Sequence, residues 1–301
     1  MCVRVISGGR VVLLLLLLFL ILTFAFLPSQ AFGADLLAHA ALERYRSAQS
    51  GAIRHARTMG VIEYRQSDGD GRVAGESGRS STVSVAAKAN RRIGAGWNVQ
   101  GNVKHRHSEL NGDRRQRTQG TAHLYHRDPD RYALGAFGNL ATERAKPATA
   151  IAGDEWKRVD SAAGGVEAAL FSEKTTLLAA AGLRRKMIEQ GANDSAFTML
   201  GARYYVTDQF RLGLQGTYER PLTIEDDPVI YGLGAEVSYR PHELPFSSFG
   251  GYRYQLAQAD GSAEKTVSHG VFAGFRYHFG SQSLKEEERH GPLWPDLPID
   301  L

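Results

Sequence analysis

The chain has almost no cysteine. Its one cysteine, Cys2, stands at the very start of 301 residues. Beyond it neither a disulfide nor a thiolate site can form. Cys2 also lacks the preceding apolar segment that a lipid-modified cysteine requires. Long apolar runs are scarce too. After residue 27 no stretch reaches the roughly 18 apolar residues of a spanning helix, so helical crossing is excluded there. A charge excess is missing: the formal net charge is +4, and loss of residues 1–33 removes Arg4 and Arg10 and leaves +2. Such a balance argues against a nucleic-acid partner. Two catalytic signatures are absent as well. No Gly-x-Ser-x-Gly elbow occurs, and the glycine-rich segment 67–78 has no Gly-Lys-Ser/Thr.

The N-terminus carries the parts of a secretory signal peptide. Arg4 and Arg10 precede an apolar run over residues 11–27, and Pro28-Ser-Gln-Ala-Phe-Gly-Ala34 follows. The small residues suit cleavage after Ala31 or Gly33. An uncleaved anchor is the rival reading, but a run of 17 residues is at the short limit for a membrane span.

Past residue 55 the pattern is alternation. In the stretch 93–104, Ile93, Ala95, Trp97, Val99 and Val103 share one face, and Asn98, Gln100, Asn102 and Lys104 share the other. Strand side chains alternate between faces, so this is a strand with one apolar and one polar side. Segments 210–218 and 231–239 repeat the pattern. The same reading predicts strands over 56–66, 80–90, 92–104, 117–127, 131–143, 158–171, 175–188, 195–206, 209–220, 229–240, 247–258 and 267–279. Short connections (90–91, 128–130, 172–174, 207–208, 241–244) alternate with longer ones (67–79, 105–116, 144–156, 189–194, 221–228, 259–266), rich in Gly, Asp, Asn and Pro. An even number of half-apolar strands with alternating short turns and long loops is the pattern of an all-β, transmembrane, up-and-down antiparallel barrel of about twelve strands. A soluble β-sandwich also alternates. It gives no reason, however, for aromatics at both strand ends: Tyr125, Tyr132, Tyr204, Phe210, Tyr239 and Phe246 beside short turns, Trp156, Tyr218, Tyr231 and Tyr254 near long loops.

The last segment, Gly274-Phe-Arg-Tyr277-His-Phe279, resembles the terminal strand of Gram-negative outer-membrane β-barrels of the porin-like kind, in which Gly is followed by aromatics three and five residues on. Family members usually carry a polar residue two before the glycine, where this chain has Phe272. They often end at the final aromatic, whereas this chain runs on to Leu301. The resemblance covers residues 56–279. It implies residence in the outer membrane of a Gram-negative bacterium, termini in the periplasm, and contact with lipid, lipopolysaccharide and the barrel-insertion machinery. The expected organisation is a signal peptide at 1–33, a short helical periplasmic segment at 34–55, the barrel at 56–280, and a disordered periplasmic tail at 281–301. That tail contains a charged run, Lys285-Glu-Glu-Glu-Arg289, and three prolines.

Candidate functional residues follow from parity. Lys104, Arg184, Arg203, Arg211, Arg253 and Arg276 fall on the lumen side with Glu143, Glu167, Glu219 and Glu236. Arg65, Lys88, Arg106, Lys186, Arg240 and Glu63 join them, giving eleven bases against five acids. A basic wall predicts a narrow channel that prefers small anionic solutes, as in twelve-strand channels for acidic oligosaccharides, which the chain is similar to without a shared motif. The opposite reading is that these arginines pair with the lumen acids and merely fill the barrel. A non-conducting structural, assembly or translocator-like barrel is a further alternative. A barrel lipid hydrolase built from His123, His269 or His278 with a serine such as Ser268 is a third. His105 and His107 share a strand face, which suits ordinary polar lining better than a metal. Arg114, Arg115 and Arg117 are placed in an outer loop. No cofactor is expected, and the chain is read as a non-enzyme.

Overall fold

The computed structural model describes residues 58–73, 76–146, 156–188, 191–223, 228–258 and 265–296. The expected signal peptide and the helical segment 34–55 lie outside these residues. Twelve strands run in sequence order: β1 (Thr58–Val73), β2 (Glu76–Arg92), β3 (Trp97–Leu110), β4 (Asp113–Asp128), β5 (Tyr132–Lys146), β6 (Lys157–Phe171), β7 (Thr175–Ile188), β8 (Gly191–Thr207), β9 (Phe210–Pro221), β10 (Val229–Tyr239), β11 (Phe246–Gln258) and β12 (Lys265–Phe279). Each pairs antiparallel with its neighbours, and β1 pairs with β12 to close the barrel.

Closure leaves no strand edge unpaired, which hydrocarbon demands because it cannot hydrogen-bond a backbone. The seam runs Val61 opposite His278 and Gln66 opposite Ala273. It also sets Glu63 directly across from Arg276.

Alternation separates the two faces. Val85, Leu134, Leu140, Val166, Leu212, Leu214, Leu233 and Phe275 are exposed on the outside, where an apolar band suits lipid. Arginine in place of Leu214, which is 61% exposed, is expected to destabilise the folded barrel by about 2–4 kcal/mol if it lies near the bilayer midplane. The neighbouring change Gln215→Arg points to the lumen and should be nearly neutral. Urea unfolding in lipid vesicles compares the two; equal losses would contradict the register.

Several connections differ from the sequence reading. Residues 67–79, 105–116 and 189–194 were expected as long loops, yet most of each is strand. Pairing continues to Val73–Glu76, Leu110–Asp113 and Ile188–Gly191. These extensions are polar on both faces, so they carry no alternation signal, but their backbones pair all the same. At roughly 3.3 Å per residue, the 17 residues of β2 or β8 outreach an apolar band of about 25 Å. The β3–β4 tip is a two-residue turn at Asn111 (φ 51°) and Gly112 (φ 87°), the left-handed pair that matches the twist of flanking strands. Residues 93–96, by contrast, form the turn before β3 rather than its first residues.

The largest correction concerns the C-terminus. Residues 281–296 are not a disordered tail. They form helix α1 (Leu284–His290) followed by residues 291–296, in which Leu293 and Trp294 are buried inside the barrel. Ser283 caps the helix by accepting from Glu286 N at 3.0 Å, and Glu286 accepts in return from Gln282 N at 2.6 Å, a reciprocal arrangement that satisfies orphan donors of the first turn. Gly291 N closes the other end on Glu287 O.

Candidate functional site

The candidate site is the lumen. Its lower half, at the short-turn end, is occupied by the C-terminal segment. The wall residues there complement that segment in ways that composition alone does not show. Trp294 is 2% exposed and Leu293 1%. They share an apolar cluster with Tyr125, Ala133, Ala169, Phe171 and Leu178 from the wall. Trp294 stacks on His123 (centroids 6.4 Å, planes 14° apart) and meets Tyr125 edge-on. Gln100 clamps the backbone: its Oε1 accepts from Leu293 N (2.8 Å) and Trp294 N (3.2 Å), and its Nε2 donates to Trp294 O (3.1 Å). Asn90 donates to His290 O, and Arg127 to Gly291 O at 2.8 Å.

Charged contacts fix the helix. Glu288 accepts from Arg203 Nη1 and from the Tyr205 hydroxyl, each at 2.6 Å. Burial pushes the Glu288 carboxyl up, but the guanidinium groups of Arg203 and Arg211 outweigh it and hold the carboxyl below the usual carboxylate range. Glu287 bonds His278 Nδ1, whose Nε2 faces Ser247 Oγ at 2.7 Å. Arg289 donates to Pro129 O and Ser172 O in two different short turns and lies over the Phe171 ring.

The Ser247–His278–Glu287 chain has the order of a hydrolase triad. Ser247 is 1% exposed and lines neither lumen cavity described below. The arrangement therefore works as a clamp on Glu287, since a nucleophile must meet its substrate. The sequence candidates for hydrolysis are not brought together. Ser268 Oγ lies 3.5 Å from Gln255 Oε1, and His269 stands on the opposite face of β12. His123 is bonded to Glu167 at 2.9 Å, with Asn102 at its other nitrogen. His105 and His107 lie on the outer face of β3. Among the described residues no group of three or more His, Cys, Asp or Glu gathers to hold a metal.

Above the C-terminal segment the predicted lumen residues are layered with their counter-charges. Arg276 reaches Glu63 (2.7 Å) and both oxygens of Glu236 (3.0 Å each). Arg211 adds a contact to Glu236 at 3.0 Å, and Arg65 to Glu63 at 3.2 Å. Arg276 also lies 3.9 Å from the centroid of Phe249. Gly274 makes this possible. A Cβ at that position would fall 2.5 Å from the Phe249 ring and 2.1 Å from Tyr64 O, so the signature glycine admits the ring that supports the cluster. Toward the long-loop end Arg184 pairs with Glu219, and Ser195 donates to the same carboxylate at 2.7 Å. Arg203 turns instead to Glu288 on the C-terminal segment.

Two inner-wall bases escaped the sequence reading. Arg117 is not in an outer loop: it sits on β4, faces inward and meets Glu143 at 3.3 Å. Arg127 also faces inward. Tyr125, expected at the membrane boundary, is instead buried in the lumen at 0% exposure. The parity of β4, counted from His123, shows all three.

Above the segment the described residues line a cavity of about 200 Å³ and another of about 170 Å³. The first lies against Trp294, Pro295 and Asp296 and is bounded by Lys88, Lys104, Arg203, Arg211, Arg276 and Glu236. The second lies toward the long-loop end, bounded by Arg106 and the hydroxyls of Ser67, Ser80, Thr82, Ser84 and Ser268. Arg65, Lys104, Arg253 and Phe272 border both.

No protein-family model and no curated protein matches the chain. Solved structures do. The β-domain of the Bordetella autotransporter BrkA is similar at 16% identity and a TM-score of 0.50, covering 73% of this chain and 99% of that one. An outer-membrane channel from Pseudomonas putida F1 is similar at 13% identity and a TM-score of 0.51, covering 76% of this chain and 97% of that one. At such identities the likeness is one of fold: this chain has the closed antiparallel fold of outer-membrane β-barrels.

Proposed function

We propose that the protein is a Gram-negative outer-membrane barrel whose lumen forms a narrow, anion-preferring passage, closed at its periplasmic mouth by its own C-terminal segment. The apolar exterior supports residence in lipid. The short turns and the C-terminal segment then face the periplasm, and the extended hairpins face outward, where Arg114 and Arg115 at the β3–β4 tip meet lipopolysaccharide phosphates. The signal peptide at 1–33 supplies export, and the barrel-insertion machinery reads the Gly274–Phe279 strand. No enzymatic activity is assigned.

One observation carries the selectivity. The two cavities meet at Arg65, Lys104 and Arg253, with Arg106 beyond. Glu63 and Glu236 border the first cavity as well, each held in arginine pairs, while Glu143, Glu167 and Glu219 sit in arginine or histidine pairs elsewhere on the wall. The cavity walls thus carry more basic than acidic side chains, even though the reading that lumen arginines pair with acids holds for Arg65, Arg184, Arg211 and Arg276. A chain ending at Gly280 should show an anion-selective reversal potential in a KCl gradient, shifted toward zero by Arg106→Gln with Arg253→Gln. Cation preference, or selectivity indifferent to both changes, would refute the mechanism. The seated C-terminal segment favours a second reading, a non-conducting structural barrel. A truncated chain that passes no current would establish it.

A further inference from the structure

Among the described residues, Glu287, Glu288 and Asp296 of the C-terminal segment each meet a basic side chain of the wall, and Asp296 does so at the edge of open space. Its Oδ1 lies 3.0 Å from Lys88 Nζ and its Oδ2 3.9 Å from Lys104 Nζ. Side-chain exposures are 14% for Asp296, 16% for Lys88 and 9% for Lys104, so the carboxylate is largely withdrawn from solvent. The two lysines come from neighbouring strands, β2 and β3, and flank one point of the wall. Gln100 and the Trp294 stack fix the backbone two residues earlier and thereby deliver Asp296 to that point. The adjoining cavity of about 200 Å³ is lined by Asp296, both lysines, Arg65, Arg253 and Arg276, together with Glu63 and Glu236, which Arg276 holds in ion pairs. It is smaller than the roughly 300 Å³ at which drug-sized pockets begin, which fits a small organic anion rather than a polymer.

We propose that Lys88 and Lys104 form a carboxylate-binding site in the lumen, and that Asp296 occupies it as a tethered stand-in for one carboxylate of a small di- or tricarboxylate solute. A second carboxylate of that solute would extend across the cavity toward Arg253. The tether gives Asp296 a high effective concentration at the lysines, so a free anion binds only by displacing it. Displacement also removes one anchor of the C-terminal segment, which couples solute binding to opening of the short-turn mouth. The inference rests on the reading of the lumen as an anion passage.

Binding is measured on the full chain in detergent micelles, by calorimetric titration with citrate and with glucose as the uncharged control. Folding of each variant is checked by circular dichroism and heat-modifiable migration. Asp296→Ala should bind citrate about tenfold more tightly than the unsubstituted chain, because the competing carboxylate is gone. Adding Lys88→Ala and Lys104→Ala should abolish that gain. Should the alanine pair fail to fold, Lys88→Gln and Lys104→Gln remove the charge and keep the stems. Equal citrate affinity with and without Asp296, a gain that survives loss of both lysines, or equal binding of glucose would each overturn the site. Because no membrane is involved, an anion-selective pore that binds no citrate would overturn this site and leave the passage standing. Citrate binding by the full chain, with no current through the chain ending at Gly280, would support the site and refute the passage.

Discussion

Arg276→Ala is expected to cost the barrel about 3 kcal/mol of unfolding free energy, the lower end of what breaking a buried ion pair from one side costs. The reason is geometric. Arg276 spans the closing seam: it stands on β12, directly opposite Glu63 on β1, and forks onto Glu236 of β10. Removing it leaves two carboxylates in a largely water-excluded wall. Arg65 and Arg211 still touch them, which keeps the loss from rising further. Its cation–π contact with Phe249 is lost too. The exposed pair Arg158–Asp160, with side chains 60% and 36% exposed, provides the comparison: Arg158→Ala should cost far less, because solvent screens the pair. Urea unfolding of both variants in lipid vesicles, followed by circular dichroism, reads the difference. Comparable losses would mean that the seam cluster does not hold the barrel shut.

The strands were legible because the two faces of each meet different solvents. Leu212, Leu214 and Leu233 alternate with Arg211, Gln215 and Glu236, so period two appears without any knowledge of neighbours. Register was not legible in the same way. Nothing in the alternation of β1 or β12 says that Val61 lies opposite His278 rather than nearer Ala273. That is decided by matched pairs such as Glu63 with Arg276, which are distant in sequence. The hairpin extensions failed for another reason: residues 105–110 and 113–116 are polar on both faces, so a strand there looks like a loop until its partner is in place.

Much of the candidate lumen was legible by parity, and its bases and acids do face inward. The layering was not, because an arginine's partner lies one to several strands away. The C-terminal segment was misread outright. Lys285-Glu-Glu-Glu-Arg289 and the prolines that follow have the composition of a solvated tail. Each charge nevertheless has a particular receptor: Lys285 at Asp208, Glu286 at Gln282 N, Glu287 at His278, Glu288 at Arg203 and Tyr205, Arg289 at two turn carbonyls. Composition reports what a segment can do in water. It does not report a cavity shaped to take it. The sign of the segment's fate lay in Leu293 and Trp294, two large apolar residues in an otherwise polar run.

Removing that segment should have the largest functional effect of any change considered. Trp294, Leu293 and α1 fill the short-turn mouth, and the wall behind them presents Gln100, Asn102, Arg127 and Arg203. Emptied, this half of the lumen becomes a polar conduit continuous with the cavities above it, and a wetted polar constriction conducts where a packed apolar one does not. A chain ending at Gly280 keeps β12 whole and finishes beside Phe279, so closure of the barrel is unaffected. A gentler variant, Leu293→Asp with Trp294→Asp, unseats the segment without removing it. The direct test is single-channel conductance in planar bilayers for the full chain, the chain ending at Gly280 and the double-aspartate variant. The full chain should pass little current, and both altered chains should conduct on the order of tenfold more. Equal conductance in all three would contradict a lumen closed by its own C-terminal segment.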